Sequence, residues 1–153
     1  MSKGEWWFED HEPGTSIKTM ARTVTETDIV NFVTQGAIFE GLFIDAHHAD
    51  NKLLKGRVAP AMLVLTFAEG LYILTGHTFA GRAFLGLDGL RLTSPTRAGD
   101  SIHAVVTVDS ARESSSRPGH GIVELRHEVF NHEATQLMTY RTTRLIEMRE
   151  NGS

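Results

Sequence analysis

The stretch "PAMLVLTFAEGLYILTG", Pro60 to Gly76, constrains this chain more than any other. Met62, Leu63, Val64, Leu65, Phe67, Leu71, Tyr72, Ile73 and Leu74 leave a helix here almost no polar side. A helix apolar all round has to be buried. Proline suits a first helical position, and a glycine such as Gly76 suits the stop. The rest of the chain must therefore wrap a helix running from about Pro60 to about Thr75. Glu69 is the one acidic residue within it. A lone buried charge is costly, so Glu69 requires a partner, either at a subunit seam or over a polar pocket. Tyr72 reads as core.

From Ala83 onward the hydrophobic period changes from helical to two. "AFLGLDGLRLTSP", "DSIHAVVTVDSARE", "GIVELRHEVFN" and "QLMTYRTTRLIEM" all alternate, as strands half-buried on one face do. "SSSRPGHG" and "NHEAT" read as the hairpin turns between them. His103 and His127 fall within strands, on the faces of that sheet. Before the long helix, "EWWFED" reads as a short strand or a lid, "IKTMARTV" as extended, and "HHADNKLL" as a further helical turn. Thr25 followed by Asp28 forms a capping-box pattern. Ile29, Phe32 and Val33 continue it at helical spacing, and Gly36 is the expected stop. The class is α+β: one antiparallel sheet wrapped around a long central helix. The end strands of such a sheet need covering, which dimerisation supplies.

The 153 residues suit one domain, and a 41% hydrophobic content supplies its core. A net charge of −4 gives no global attraction for a polyanion. Arg82, Arg91 and Arg97 are scattered singly, so no basic stripe suggests nucleic acid. Without cysteine there is no disulfide, thiolate metal site or cysteine nucleophile. "MSKGEWWFEDHEPG" has no apolar run of signal-peptide length, and no stretch approaches membrane-spanning length. A cytoplasmic protein without a membrane partner is expected. Neither an internal repeat nor a low-complexity segment is visible.

"TQGAIFEGLFIDAHHAD", Thr34 to Asp50, places one carboxylate among apolar residues and then turns abruptly polar. Around it, "RTVTETDIVNF" (Arg22 to Phe32), "GRVAPAMLVLTFAEGL" (Gly56 to Leu71) and "LRLTSPTRAGDSI" (Leu90 to Ile102) resemble the MaoC-like dehydratases, the R-specific enoyl-CoA hydratases of the hotdog fold. The resemblance runs from about Gly14 to Ile146. It implies a single hotdog domain over residues 1–153 and a substrate carried as a thioester of coenzyme A or carrier protein. It implies no cofactor beyond that carrier. It also implies a homodimer, a dimer of dimers, or pairing with a second hotdog subunit. The family's catalytic loop reads G-D-x-N-P-x-H-x-D. Aligned through Asp45, its aspartate falls on Ile38 and its histidine on Phe43, with its asparagine on Glu40 and its proline on Gly41. The usual His-Gly before the central helix is here Pro60-Ala61. By this alignment the frame is kept and the standard Asp-His dyad is replaced.

Glu40 is the first candidate for acid–base work. An apolar loop strips water from a carboxylate and favours its neutral form, which suits a general acid or base. The structural alternative is a solvated side chain, or one paired with an arginine such as Arg57. His48 is the second candidate, as a substitute base. Asp45, His47, His48 and Asp50 have the donor types of a metal site. Adjacent histidines point apart, however, and no H-x-x-x-H spacing is present, so no metal is expected. The resemblance makes Asp45 a structural cap. Backbone amides at Ala61 and Met62, at the positive end of the helix dipole, are placed by the resemblance to hold a thioester oxygen and a developing enolate. Ile38 and Phe43 would line the acyl pocket, and Met62 its edge. Arg91 and Arg97 are candidates for coenzyme A phosphates. Three functions follow: a hydratase, dehydratase or isomerase using Glu40; a non-catalytic acyl-thioester-binding subunit; or a thioesterase directing water with one carboxylate.

Overall fold

The computed structural model describes residues 4–48, 54, 56–80 and 83–150. The helical turn expected in "HHADNKLL" falls mostly outside that set, as do Asp50 and Arg82. Short strands β1 (Glu5–Trp6), β2 (Ser16–Lys18) and β3 (Arg22–Thr23) precede helix α1 (Glu26–Gly36). A one-turn helix α2 (Gly41–Ile44) and the central helix α3 (Ala61–Ile73) follow. Strand β4 (Thr78–Phe79) leads to the four long strands β5 (Ala83–Leu92), β6 (Ser101–Glu113), β7 (His120–Phe130) and β8 (Gln136–Glu147). The main sheet runs β2-β6-β7-β8-β5, antiparallel throughout, with β3 also pairing with the start of β6. "EWWFED" becomes β1 and a 3-10 turn at Phe8–Asp10, and β1 pairs with β4 in parallel.

The local signals act as expected at the start of α1. Thr25 accepts a hydrogen bond from the Asp28 amide (3.0 Å), and the Asp28 carboxylate accepts one from the Thr25 amide (2.8 Å). At the other end Gly36 stays helical, and Ala37 takes the left-handed cap at φ 53°. Helix α2 was unmarked in the sequence; an apolar Gly-Leu-Phe-Ile run does not distinguish a single turn from a loop.

The core lies between α3 and the inner face of β6, β7 and β8. Val64, Ala68, Leu71 and Tyr72 of α3 are buried against Ala104, Val106, Leu125, Val129 and Met138. The expectation of a helix buried on every side needs correction. Met62 is 46% and Ile73 49% exposed, and Thr66 is exposed. The sheet curls round only one side of α3 and ends at β5, whose Phe84 and Leu92 are 55% and 61% exposed. The apolar residues that seemed to require burial all round thus form a stripe open on the side away from the core, where Thr66 and Ile73 border a cavity with Arg22. Among the described residues, no helix is long and apolar enough to cross a membrane.

Candidate active site

A cleft of about 390 Å3 opens at the N-terminal end of α3. Its helix side is Ala61 and Val64, and its loop side is Leu42 and Phe43 of α2. Leu92 and the residues up to Thr96 that leave β5 form a further wall, and Val58 and Ala59 lie between the loop and the helix. Two backbone bonds hold these pieces together: Val58 N–H to Leu42 O (3.0 Å) and Ala59 N–H to Thr96 O (2.7 Å). Pro60 is the N-cap and offers no side-chain cap. The first amide to donate to Pro60 O is that of Leu63 (3.0 Å). The amides of Ala61 and Met62 are thus left among those a helix start cannot satisfy internally.

The facing loop is built on backbone. The Glu40 carbonyl accepts from the amides of Phe43 (2.9 Å) and Ile44 (3.2 Å), making Glu40 the N-cap of α2. Its side chain makes no cap hydrogen bond and is exposed, so the apolar loop does not strip it of water within the single chain. Arg57 is not its partner: Arg57 pairs with Glu26. His48 returns over α2, and a Cβ added at Gly41 would meet its ring at 2.8 Å. Glu40 and His48 therefore flank the same glycine. Asp45 accepts from the His47 amide at 2.8 Å and caps its own turn. Among the described residues no group of three acidic, histidine or cysteine side chains is arranged to hold a metal ion.

The other sequence candidates divide. Phe43 and Ala61 line the cleft, whereas Ile38 packs beside Gly36 and Met62 sits on the open stripe of α3. Arg97 stands at the rim beside Thr96, with Nη1 donating to Arg57 O (3.1 Å) and its amide donating to Asp100 (2.8 Å). Arg91 is exposed opposite Thr139, one residue from Leu92, which pairs with the core residue Met138. Strand alternation therefore turns Arg91 to the outer face, away from the cleft.

A family model described as mesaconyl-CoA hydratase matches residues 3–152. The chain belongs to that family. It is 32% identical over 101 residues to Protein MaoC of Klebsiella aerogenes, covering 66% of this chain and 30% of that protein. It is 39% identical over 71 residues to the mesaconyl-CoA hydratase of Haloarcula hispanica, covering 46% of this chain and 20% of that enzyme. The chain thus spans less than a third of the curated relatives it matches. The solved structure of a monoamine oxidase regulatory protein from Archaeoglobus superposes with a TM-score of 0.86 at 28% identity, over 95% of this chain and 97% of that one. The hotdog fold implied by the sequence is the fold observed.

This family member carries a second polar feature that the sequence only half disclosed. Glu69, needing a partner, finds it within its own chain: Arg144 Nη2 donates to it at 2.5 Å and the Tyr140 hydroxyl at 2.9 Å. His127 lies 3.6 Å from the same carboxylate, stacks on Tyr140 at 4.3 Å and meets the Thr142 hydroxyl at 3.0 Å. Burial first, and the Arg144 guanidinium second, push His127 down to about 3, so it is neutral at physiological pH. Burial, together with the Glu69 charge, pushes the Tyr140 hydroxyl upward. Arg144 gave no signal in the sequence, because only strand register places it under α3.

Proposed function

We propose that the chain hydrates, or dehydrates in reverse, an acyl thioester of coenzyme A. The thioester carbonyl lies on the Ala61 and Met62 amides, and the acyl group lies in the adjacent cleft. The carrying observation is the meeting of a free helix N-terminus with an apolar cleft in a member of this family. Preorganised amides at the positive helix end stabilise an enolate. Ile38 and Phe43, in the dyad's positions by the alignment above, cannot carry protons. Glu40 is then the general base and His48 its alternative, both on the turn that faces α3. Exposed as it is, Glu40 meets apolar surroundings when substrate or a second copy covers the loop. The free edge of β5 and the open stripe of α3 support a homodimer. Light scattering that shows only a 16.9 kDa species at micromolar concentration would count against it.

The test is turnover with mesaconyl-CoA, suggested by the Haloarcula relative, beside crotonyl-CoA. Hydration of crotonyl-CoA should be weak; brisk turnover would show the loop alignment to be wrong. A positioned general base contributes about a hundred- to ten-thousand-fold, so E40Q should lower kcat by an amount in that range. If E40Q keeps full activity while H48N loses it, the base is His48. If neither change lowers turnover, the base lies elsewhere; if the unmodified chain binds the thioester and turns over neither substrate, it is the non-catalytic acyl-thioester-binding subunit.

A further inference from the structure

The wall of the cleft that leaves β5 is unlike its neighbours. The helix and loop sides present only carbon, from Ala61, Val64, Leu42 and Phe43. The β5 side presents three hydroxyls, on Thr93, Ser94 and Thr96. That of Thr93 is used, donating to Gln136 O at 2.7 Å. Those of Ser94 and Thr96 make no hydrogen bond among the described residues. Thr96 is only 5% exposed. Its oxygen is nevertheless not one of the sealed atoms without a partner, which among the described residues are His11 Nε2, Arg57 Nε, His127 Nδ1 and Arg144 Nε. The Thr96 hydroxyl therefore opens on the cleft that Thr96 borders. A valine would close this wall equally well, and a buried hydroxyl without a partner is destabilising. Its partner has to come from what occupies the cleft.

We propose that the Thr96 hydroxyl, assisted by that of Ser94, holds the oxygen added at C3 of the acyl chain: the water in hydration, the 3-hydroxyl in the reverse reaction. The inference rests on the reading of the cleft as the thioester site. The wall is fixed where this requires it. The Thr96 carbonyl accepts from the Ala59 amide at 2.7 Å, two residues ahead of Ala61. The Thr93 amide donates to Leu137 O at 2.9 Å and the Arg97 amide to Asp100 at 2.8 Å, so the segment is tied at both ends. With the carbonyl on the Ala61 and Met62 amides, C3 stands two bonds on, about 2.5 Å from the carbonyl carbon. An oxygen on C3 then needs one O–H···O bond of about 2.7 Å to reach the wall. In hydration the water oxygen bonds C3 while a base, the loop group of the proposed reading, takes one of its protons. The C2=C3 pair moves toward the carbonyl as the enolate, and C2 then takes a proton. A hydroxyl that accepts the second hydrogen of the water holds it and leaves a lone pair for C3. A methyl group in that place holds nothing.

Calorimetric titration with butyryl-CoA and with each enantiomer of 3-hydroxybutyryl-CoA tests this without requiring turnover. The unmodified protein should bind one hydroxylated enantiomer about fivefold tighter than butyryl-CoA, as one net hydrogen bond allows. T96V keeps the shape of the wall and removes the oxygen, so it should abolish that preference while binding butyryl-CoA as before. T96S keeps the oxygen and should keep the preference, and S94A should reduce it by a smaller factor than T96V does. Equal affinity of the unmodified protein for all three compounds would overturn the inference and leave the cleft reading standing. So would a T96S that behaves as T96V does, because the wall would then act by shape alone. If none of the three binds, the cleft reading fails and takes this inference with it. Should T96V not fold, the preference of the unmodified protein and its reduction in S94A decide. Turnover of mesaconyl-CoA gives a second readout: T96V should lower kcat about tenfold with KM little changed. A raised KM at unchanged kcat would put the hydroxyl on another part of the substrate and overturn the inference.

Discussion

Two polar regions border α3, and they are built in opposite ways. The loop from Gly36 to His48 is held by its own backbone, and its titratable side chains are exposed or rest on a single glycine. The cluster under the middle of α3 is held by side chains from three elements: Glu69 from the helix, His127 from β7, and Tyr140, Thr142 and Arg144 from β8. Groups of the first kind can turn toward a bound molecule. Groups of the second kind cannot move without leaving a buried partner unsatisfied. The proposed proton transfer falls to the loop, and the cluster is a fixed support under the middle of α3. The two regions should therefore respond differently to substitution.

The largest stability effect should come from the cluster. E69L alone leaves Arg144 buried with no counter-charge and the Tyr140 hydroxyl without an acceptor. Breaking one side of such a pair costs about 3–5 kcal/mol. E69L/Y140F/R144M removes every member that would be stranded and should stay within about 1–2 kcal/mol of the parent. Urea denaturation of the two variants measures the difference. Equal losses would mean that Glu69 is a solvated surface group and that the cluster is not closed. On the loop, E40Q creates no cavity and strands no partner, so its stability should lie within about 0.5 kcal/mol of the parent.

A second difference should appear on acidification. In the unfolded chain His127 takes up a proton near its ordinary value of 6.5, but in the folded chain only near 3. The unfolded state therefore binds more protons throughout that window. The stabilisation from neutral His127 is fully present above pH 6.5 and is lost as the pH falls toward 3. Between pH 7 and pH 5 this group alone should cost about 2 kcal/mol. His11, lowered mainly by burial, acts in the same direction. H127Q keeps a side chain able to reach the Thr142 hydroxyl and should flatten the slope of urea midpoint against pH. An unchanged slope would show that the cluster admits a proton and its hydration.

The contrast also explains what the sequence could disclose. Pattern within a short window found α3, the four long strands, both hairpin turns and the capping box at Thr25, because each is a local property of neighbouring residues. The cleft was partly legible: of Ile38 and Phe43, both expected beside an apolar pocket, Phe43 borders the cleft, as does Ala61 at the start of α3. Leu42 and Leu92 carry no local mark, and they join the cleft only when α2 folds onto the end of β5. The charge of Arg91 is visible in a sequence, whereas the outer face it takes depends on register against β8. The open side of α3 was missed for a related reason. An apolar residue looks the same in sequence whether the chain itself covers it or leaves it for a ligand or a second copy.

The smallest effect should come from the loop's own backbone. Ala37 caps α1 in the left-handed region, at φ 53°, and is exposed. That conformation costs a residue with a Cβ about 1–2 kcal/mol. A37G relieves this, but glycine loses about 0.5–1 kcal/mol more backbone freedom on folding. The balance should be a gain of about 0.5 kcal/mol, equivalent to a rise in Tm of about 1–2 °C for a chain of this size. The gain should appear in a thermal melt, because nothing packs over the Ala37 side chain to be lost. Glu40 stands three residues further on, so the same variant probes whether the cap aims the loop. If it does, A37G should raise Tm while lowering kcat, because glycine releases the fixed exit from α1. A fall in Tm would mean instead that the Ala37 methyl group is held by a contact, and that the loop depends on side-chain packing as the cluster does.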